Sequence, residues 1–273
     1  MSSQPRHRGS DATGPVFDAS TAHPARVYDC WLGGKDNYPA DRHAAEQAID
    51  ALPQIAAYAR ANRAFLARVV RYLAAEAGVR QFLDLGTGIP TSPNVHQVAQ
   101  AVDPAARIVY VDNDPVVLVH ARALLASHPK GATAYLDCDL RDPDTILKTA
   151  AGTLDFTRPV AVLLLATLQL IPDADDPHRI VARLLDGMPS GSYLAVSHPA
   201  KDIQPEATAA AAKRLTQLHV DVTLRARGEV AQFLDGLDLV EPGLVQVHRW
   251  RPDPGQASPA GEVTIHAGVG RKP

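Results

Sequence analysis

The residues with the clearest chemical content are Asp84, Gly86, Thr87 and Gly88, at the end of the apolar run Gln81–Leu85. Glycines at a strand-to-helix turn let backbone approach a ligand closely. A dinucleotide would place its pyrophosphate on the next helix start, where the carboxylate of Asp84 repels it. The third glycine of such a turn is also missing, Thr91 standing in its place. An acid here suits a ligand with an ammonium group instead. A second acid, Asp112, closes the next apolar run, 24 to 26 residues past the glycines. An acid at that position can accept from two ribose hydroxyls. Together these residues describe a nucleoside that carries an amino acid and no phosphate.

Elements that would position these groups follow from the apolar pattern. Runs at 81–85, 107–111, 133–136, 160–167 and 193–197 alternate with amphipathic segments at 93–102, 115–126, 143–150 and 177–187. Strands apolar on both faces, alternating with helices, predict a mainly parallel sheet covered by helices. Ser92-Pro93, Asp114-Pro115, Asp142-Pro143 and Asp176-Pro177 each pair an N-cap residue with a proline at the first helical position. Residues 24–77 read as helical, with Pro53 in a first turn and Gly78 after a helix end. Beyond residue 200, helices are expected at 205–219 and 228–235. A hairpin is expected from runs at 244–250 and 263–269, joined by a Pro/Gly/Ser loop. Residues 1–20 read as a mobile tail.

Composition narrows the function classes. The chain has 273 residues, 46% hydrophobic and 21% charged, with net charge −3, so nothing favours a nucleic-acid partner. Its 22 prolines and 18 glycines fall short of a low-complexity composition. Two cysteines in no ligand spacing exclude a disulfide scaffold and point to a cytoplasmic protein. The run at 159–172 is too short to span a bilayer, and the polar N-terminus does not read as a secretory signal. No metal site is expected, because the histidines show no paired spacing.

At these residues the sequence resembles the class I S-adenosylmethionine-dependent methyltransferases. More narrowly it is similar to an actinobacterial methyltransferase family long known only as a domain of unknown function. The narrower resemblance rests on Ala25-Arg26-Val27-Tyr28-Asp29, Leu32-Gly33-Gly34-Lys35-Asp36-Asn37, Gln81-Phe82-Leu83-Asp84-Leu85-Gly86, Val109-Tyr110-Val111-Asp112-Asn113-Asp114-Pro115 and the ending Gly268-Val269-Gly270-Arg271-Lys272-Pro273. It covers residues 20–273. It implies a Rossmann-like, doubly wound, seven-stranded sheet with the last strand antiparallel. It divides the chain into a helical cap (21–78), a cofactor-binding core (79–200) and C-terminal helices with a hairpin completing the sheet (201–273). It implies S-adenosylmethionine as cofactor and a small-molecule acceptor. Gly86 and Gly88 would flank the methionine part, Asp84 would anchor it, and Asp112 would hold the ribose. Asp139, beside Leu140, would meet the adenine. Thr87 and Asn113 adjoin these contacts. Pro90, in Gly-Thr-Gly-Ile-Pro, departs from the general class pattern.

Several residues carry two readings. Asp114 reads as a helix cap before a ribose ligand, and Asp137 competes with Asp139 for the adenine. Asp142 reads as a cap and Cys138 as a small buried residue. Gly33, Gly34, Lys35, Asn37 and Tyr38 form either a structural turn or a cover over the strand ends, with Tyr28 and Arg63 on the same wall or in helix packing. Gln169 and His198 lie past the fourth and fifth strands. His198 is a candidate general base or a turn histidine before Pro199. Neither a Pro-Cys pair nor an Asp/Asn-Pro-Pro-aromatic sequence appears, which argues against methylation of DNA bases. A nicotinamide-dependent oxidoreductase and a non-catalytic cofactor-binding regulator are the alternative functions.

Overall fold

The computed structural model describes residues 18–124, 127–255 and 261–273. Most of the expected tail, and part of the loop before the last strand, lie outside them. The described end of the tail is a turn, in which Asp18 accepts from Ser20 N (2.8 Å) and Thr21 Oγ1 (2.7 Å).

Five parallel strands carry the expected apolar runs: β1 (Gln81–Leu85), β2 (Arg107–Asp112), β3 (Ala132–Asp137), β4 (Ala161–Leu165) and β5 (Tyr193–Pro199). Two short strands, β6 (Asp238–Leu239) and β7 (Val245–Gln246), precede β8 (Ile265–Arg271). The sheet order is β3-β2-β1-β4-β5-β8, and β8 runs antiparallel to β5. β6 and β7 pair opposite ends of the free edge of β8. They share the seventh position of the expected seven-stranded sheet, which is therefore split. Only two residues of the run at 244–250 pair as strand, because the chain then turns through a 3-10 segment at Val247–Arg249. That turn brings Trp250 edge-on against Phe65, 5.3 Å away, with no solvent exposure.

Nine helices occur among the described residues: α1 (Pro24–Leu32), α2 (Pro39–Ala51), α3 (Ile55–Ala75), α4 (Val95–Val102), α5 (Pro115–Leu124), α6 (Pro143–Ala150), α7 (Pro177–Asp186), α8 (Pro205–Gln217) and α9 (Arg227–Ala231). Both sheet faces are buried, as apolar strands require. Phe82, Ile108 and Leu163 pack against Phe65, Val69 and Leu73 of α3. On the other face Leu83, Val109 and Leu164 meet Ile146 of α6 and Leu184 of α7. A smaller cluster joins Val27, Ala44 and Ala48 to Leu215 and Val220, fastening α1 and α2 to α8.

Three of the four expected caps are in place. Asp114, Asp142 and Asp176 accept from the amides of Val116 (2.8 Å), Thr145 (3.1 Å) and Arg179 (3.1 Å). The fourth shifts: α4 begins at Val95, and Gln97 reaches back to accept from Asn94 N (2.7 Å). This capping-box contact favours Asn94 over Ser92 as the start. Pro53 lies in the turn between α2 and α3 rather than in a first helical turn. Prolines 24, 39 and 205 instead open α1, α2 and α8.

Candidate functional site

Strand order reverses between β1 and β4, and a cavity of about 290 Å³ lies at the C-terminal strand ends there. Its floor is the glycine turn. Gly86 (φ +69°) and Gly88 (φ +67°) are left-handed, a region that glycine enters without strain. The amides of Gly86 and Thr87 donate to Val111 O (2.8 and 3.1 Å), tying the turn to the end of β2. A side chain at Gly86 would collide with Thr167, whose hydroxyl donates to Leu85 O (2.9 Å).

Three acids reach the cavity from three strands. Asp84 of β1 is almost fully buried, and burial pushes its carboxyl up to about 7 against the opposing pull of Arg63 and Thr87. Asp112 of β2 accepts from Gly88 N (2.8 Å) through Oδ2 and from Asp114 N (3.0 Å) through Oδ1. Burial raises its pKa, and these two amides partly offset that. Asp139, past β3, is gripped by Arg141 through Nε (3.0 Å) and Nη2 (2.6 Å). The guanidinium, with Asn113 adding a hydrogen bond, holds this carboxyl below its ordinary value. Asn113 and Leu140 also border the cavity, whereas Asp137 does not. Cys138 borders it too and is half-buried, packed against the core on that face of the sheet.

Helix α1 forms the roof, bringing His23, Ala25, Tyr28 and Trp31 to the cavity. His23 Nδ1 lies 2.8 Å from Asp114 Oδ2, joining the start of the roof to the cap of α5. The Tyr28 hydroxyl donates to Ala59 O (3.0 Å) and accepts from Asn62 Nδ2 (3.0 Å). Asn62 Oδ1 accepts from Ser197 Oγ (2.6 Å), and that hydroxyl oxygen accepts from Ala166 N (3.0 Å). One polar chain thus runs from the roof to the ends of β4 and β5. Arg63 donates through Nη2 to Thr91 O (2.5 Å) and Pro93 O (2.8 Å), pinning the long loop after Gly88. Gln169 borders the cavity from the turn after β4.

Two expectations need correction. Gly33, Gly34, Lys35, Asn37 and Tyr38 do not border the cavity. Gly33 (φ +81°) ends α1 and turns the chain away. The turn then wraps the Asp29 carboxylate, which accepts from Asp36 N (3.1 Å) and Asn37 Nδ2 (2.8 Å). Gly34 lies so close to that carboxylate that no side chain fits. Tyr38 N donates instead to Asp41 Oδ2 (2.8 Å), and Lys35 is exposed. The block is a buttress behind the roof, formed because a buried carboxylate gathers donors.

His198 is not a base facing the cavity. It has no solvent exposure, its Nε2 meets Arg225 Nη1 (3.0 Å), and its Nδ1 meets Pro199 O (2.9 Å). Burial lowers its pKa to about 3, so the ring is neutral and its lone pair is engaged. Arg225 also donates to Leu168 O (2.9 Å) and Ile171 O (3.0 Å), so the pair stiffens the turn after β4.

Residue-by-residue reading missed His23, Asn62, Thr167 and Arg141. Asn62 alone carried a signal, as a polar residue within the apolar stripe of α3. Among the described residues, no group of His, Cys, Asp or Glu is placed to hold a metal ion, and no helix is long and apolar enough to cross a membrane.

A family model for S-adenosyl methyltransferases matches residues 10–273. The chain belongs to this family. The methyltransferase uses S-adenosylmethionine, and its sheet is that of the class I enzymes. It is 46% identical to a DUF574 family protein from Streptomyces avermitilis, whose crystal structure superposes with a TM-score of 0.91 over 94% of this chain and 99% of that one. A crystal structure from Thermobifida fusca is 42% identical, with a TM-score of 0.85 over 96% and 99% of the two chains. The plantazolicin methyltransferase BpumL, solved with S-adenosylhomocysteine, is 12% identical with a TM-score of 0.50, over 91% and 95%, and shares the fold alone. No curated protein matches the methyltransferase.

The residues present fit the cofactor's chemistry. A buried carboxylate with no ion pair at hydrogen-bond distance, Asp84, is matched to an ammonium. A left-handed glycine turn leaves the space above Gly88 open, with only Ala25 of the roof near.

Proposed function

We propose that this methyltransferase acts on a small molecule, with the cofactor held across the ends of β1, β2 and β3. The observation that carries the reading is the convergence of Asp84, Asp112 and Asp139 on one cavity around the glycine turn. Asp84 receives the ammonium group, and Gly86, Thr87 and Gly88 lie along the amino-acid portion. Asp112 accepts from the ribose hydroxyls with the lone pairs that Gly88 and Asp114 leave free. Asn113, Asp139 and Leu140 frame the adenine, where Arg141 keeps Asp139 ionised as an acceptor.

When bound, the cofactor supplies a methyl group on a sulfonium, already electrophilic. The protein's task is then placement and exclusion of water. Tyr28, Asn62 and Ser197 hold the roof to the strand ends, and Arg63 holds the loop beneath. Among the described residues His198 does not face the cavity, and His23, which borders it, is engaged with Asp114, so the acceptor brings its own nucleophilic lone pair. Residues 21–78 act as the cap, 79–200 as the cofactor core and 201–273 as the remaining wall. Half-buried free thiols at Cys30 and Cys138, both with raised pKa, fit a reducing cytoplasm.

Calorimetric titration with S-adenosylhomocysteine tests the placement. Loss of a hydrogen-bonded carboxylate partner costs about 1.5–3 kcal/mol, so Asp112→Ala should bind ~10- to 100-fold more weakly. An affinity within twofold of wild type, in a folded variant, would overturn the assignment.

A further inference from the structure

A second cavity, of about 200 Å³, lies at the opposite rim of the sheet from the cofactor site. Four neighbouring strands meet there. The parallel strands β1, β4 and β5 begin at this rim, and antiparallel β8 ends at it, since Tyr193 pairs with both Ala161 of β4 and Arg271 of β8. Three arginines reach the cavity from these strands. Arg80 stands just before β1, Arg158 in the turn before β4, and Arg271 at the last position of β8. Among the described residues, no Asp or Glu borders it.

The guanidinium groups keep donors to spare. Arg80 is held by Nε on Asp103 Oδ2 (2.5 Å) and by Nη1 on the carbonyls of Ala74 (2.6 Å) and Val79 (3.0 Å), which leaves Nη2. Arg271 Nη1 is 3.9 Å from Asp238 Oδ2, too far for a hydrogen bond, and its Nη2 lies beside Gly191. Among the described residues, the Arg158 guanidinium has no hydrogen-bonded or ion-paired partner. Asp155 feels its charge, but the Asp155 carboxylate is engaged by Thr157 N (3.0 Å) and Oγ1 (2.6 Å). The backbone that carries these side chains is fixed. Gln81 Nε2 donates to Asp155 O (2.8 Å) and its Oε1 accepts from Asp155 N (2.6 Å), which clamps the turn before β4. Gly191 N donates to Lys272 O (2.8 Å), and Lys272 N to Ser192 O (2.7 Å), which ties the end of β8 to the start of β5.

We propose that this cavity binds the phosphate group of a small molecule. Three like charges around one space repel each other, and an anion among them turns that repulsion into attraction. The forked donors of guanidinium match phosphate oxygens, and a phosphate ester near neutral pH brings close to two charges where a carboxylate brings one. The basic groups enclose a bounded cavity and do not form a stripe along the surface, which fits a single small ligand better than a nucleic-acid strand. The site stands apart from methyl transfer, and its assignment does not depend on the cofactor or the acceptor.

The test titrates full-length protein with inorganic phosphate, methyl phosphate, pyrophosphate, acetate and chloride at constant ionic strength. NMR follows the Nε–H signals of Arg80, Arg158 and Arg271. The three phosphates should bind about tenfold more tightly than acetate or chloride and shift all three signals together. Arg158 and Arg271 are exposed, so their substitution leaves the core intact. Arg158→Gln and Arg271→Gln should each weaken methyl phosphate about fivefold, while calorimetry with S-adenosylhomocysteine stays within about twofold of wild type. Acetate or chloride matching the phosphates, no shift of the arginine signals, or full phosphate affinity in both variants would each overturn the site. A single-stranded oligonucleotide that binds about tenfold more tightly than pyrophosphate would overturn the small-ligand assignment. The comparison among anions in wild type stands without the variants.

Discussion

Replacing Asp84 with Asn separates what this carboxylate does for folding from what it does for binding. Its folded pKa of about 7 lies above the ordinary 3.8. Below pH 3.8 the group is protonated in both the folded and unfolded chain. As pH rises past 3.8 the unfolded chain releases its proton first, so stability falls until the folded group ionises near 7. At about 1.4 kcal/mol per pH unit, the charged group costs the ligand-free protein about 4 kcal/mol at pH 8. Asp84→Asn removes that cost. Its melting temperature should rise by about 10 °C at pH 8 and change little at pH 4. Binding should move the other way. A ligand ammonium requires the ionised carboxylate, so wild-type affinity for S-adenosylhomocysteine should fall about tenfold per pH unit below 7, or ~100-fold between pH 8 and pH 5. Asp112, raised in the same direction by burial, is present in both proteins, so the difference between them isolates Asp84. In Asp84→Asn the affinity should be low, and the part of the pH slope that Asp84 carries should be gone, leaving only that of Asp112. Thermal melts and calorimetry over pH 4–8.5 read both effects. Equal stabilisation at pH 4 and pH 8, or an unchanged pH slope in the variant, would refute the reasoning.

Three other substitutions probe the scaffold. Gly34→Ala forces a methyl group into the Asp29 carboxylate and should cost about 1–3 kcal/mol, seen as a melting temperature several degrees lower; an unchanged melt would show that the buttress yields freely. Arg63→Met frees the carbonyls of Thr91 and Pro93, and should weaken S-adenosylhomocysteine binding by roughly 3- to 10-fold in calorimetry. His198→Asn should leave that affinity within twofold of wild type, because the ring faces Arg225 and not the cavity; a tenfold loss would contradict its placement.

Of the five parallel strands, β1, β2, β4 and β5 were legible because they are buried on both faces, and the half-buried edge strand β3 through its place in the strand-helix alternation. Asp114, Asp142 and Asp176 were legible because an Asp-Pro start is a local signal whose partner lies two or three residues away. The glycine turn and the acids at β1, β2 and β3 were legible for a related reason, since alternation of strand and helix puts successive strand ends on one rim. What escaped depends on distant partners. Asn62 and Ser197 are 135 positions apart, and neither residue type announces the other. His198 looked available because its position past β5 is local information, whereas Arg225, which occupies it, arrives from beyond α8. The Gly33-Gly34 block was recognised as a turn, but its direction depends on which carboxylate it wraps. β6 was too short for any periodicity to show, and of the run read at 244–250 only the two residues of β7 pair.

The division of the outermost strand also bears on what this edge of the sheet offers to another chain. An open sheet edge offers a row of free amides and carbonyls on which another chain can extend the sheet. Here β6 and β7 each span two residues, and between them Val240 N donates to Val269 O while Gly243 N folds back onto Val240 O. Pro242, within the break, has no amide to offer. An approaching strand would find two short footholds out of line with each other, never a continuous ladder. The interruption thus makes this edge of the sheet a poor template for edge-to-edge pairing.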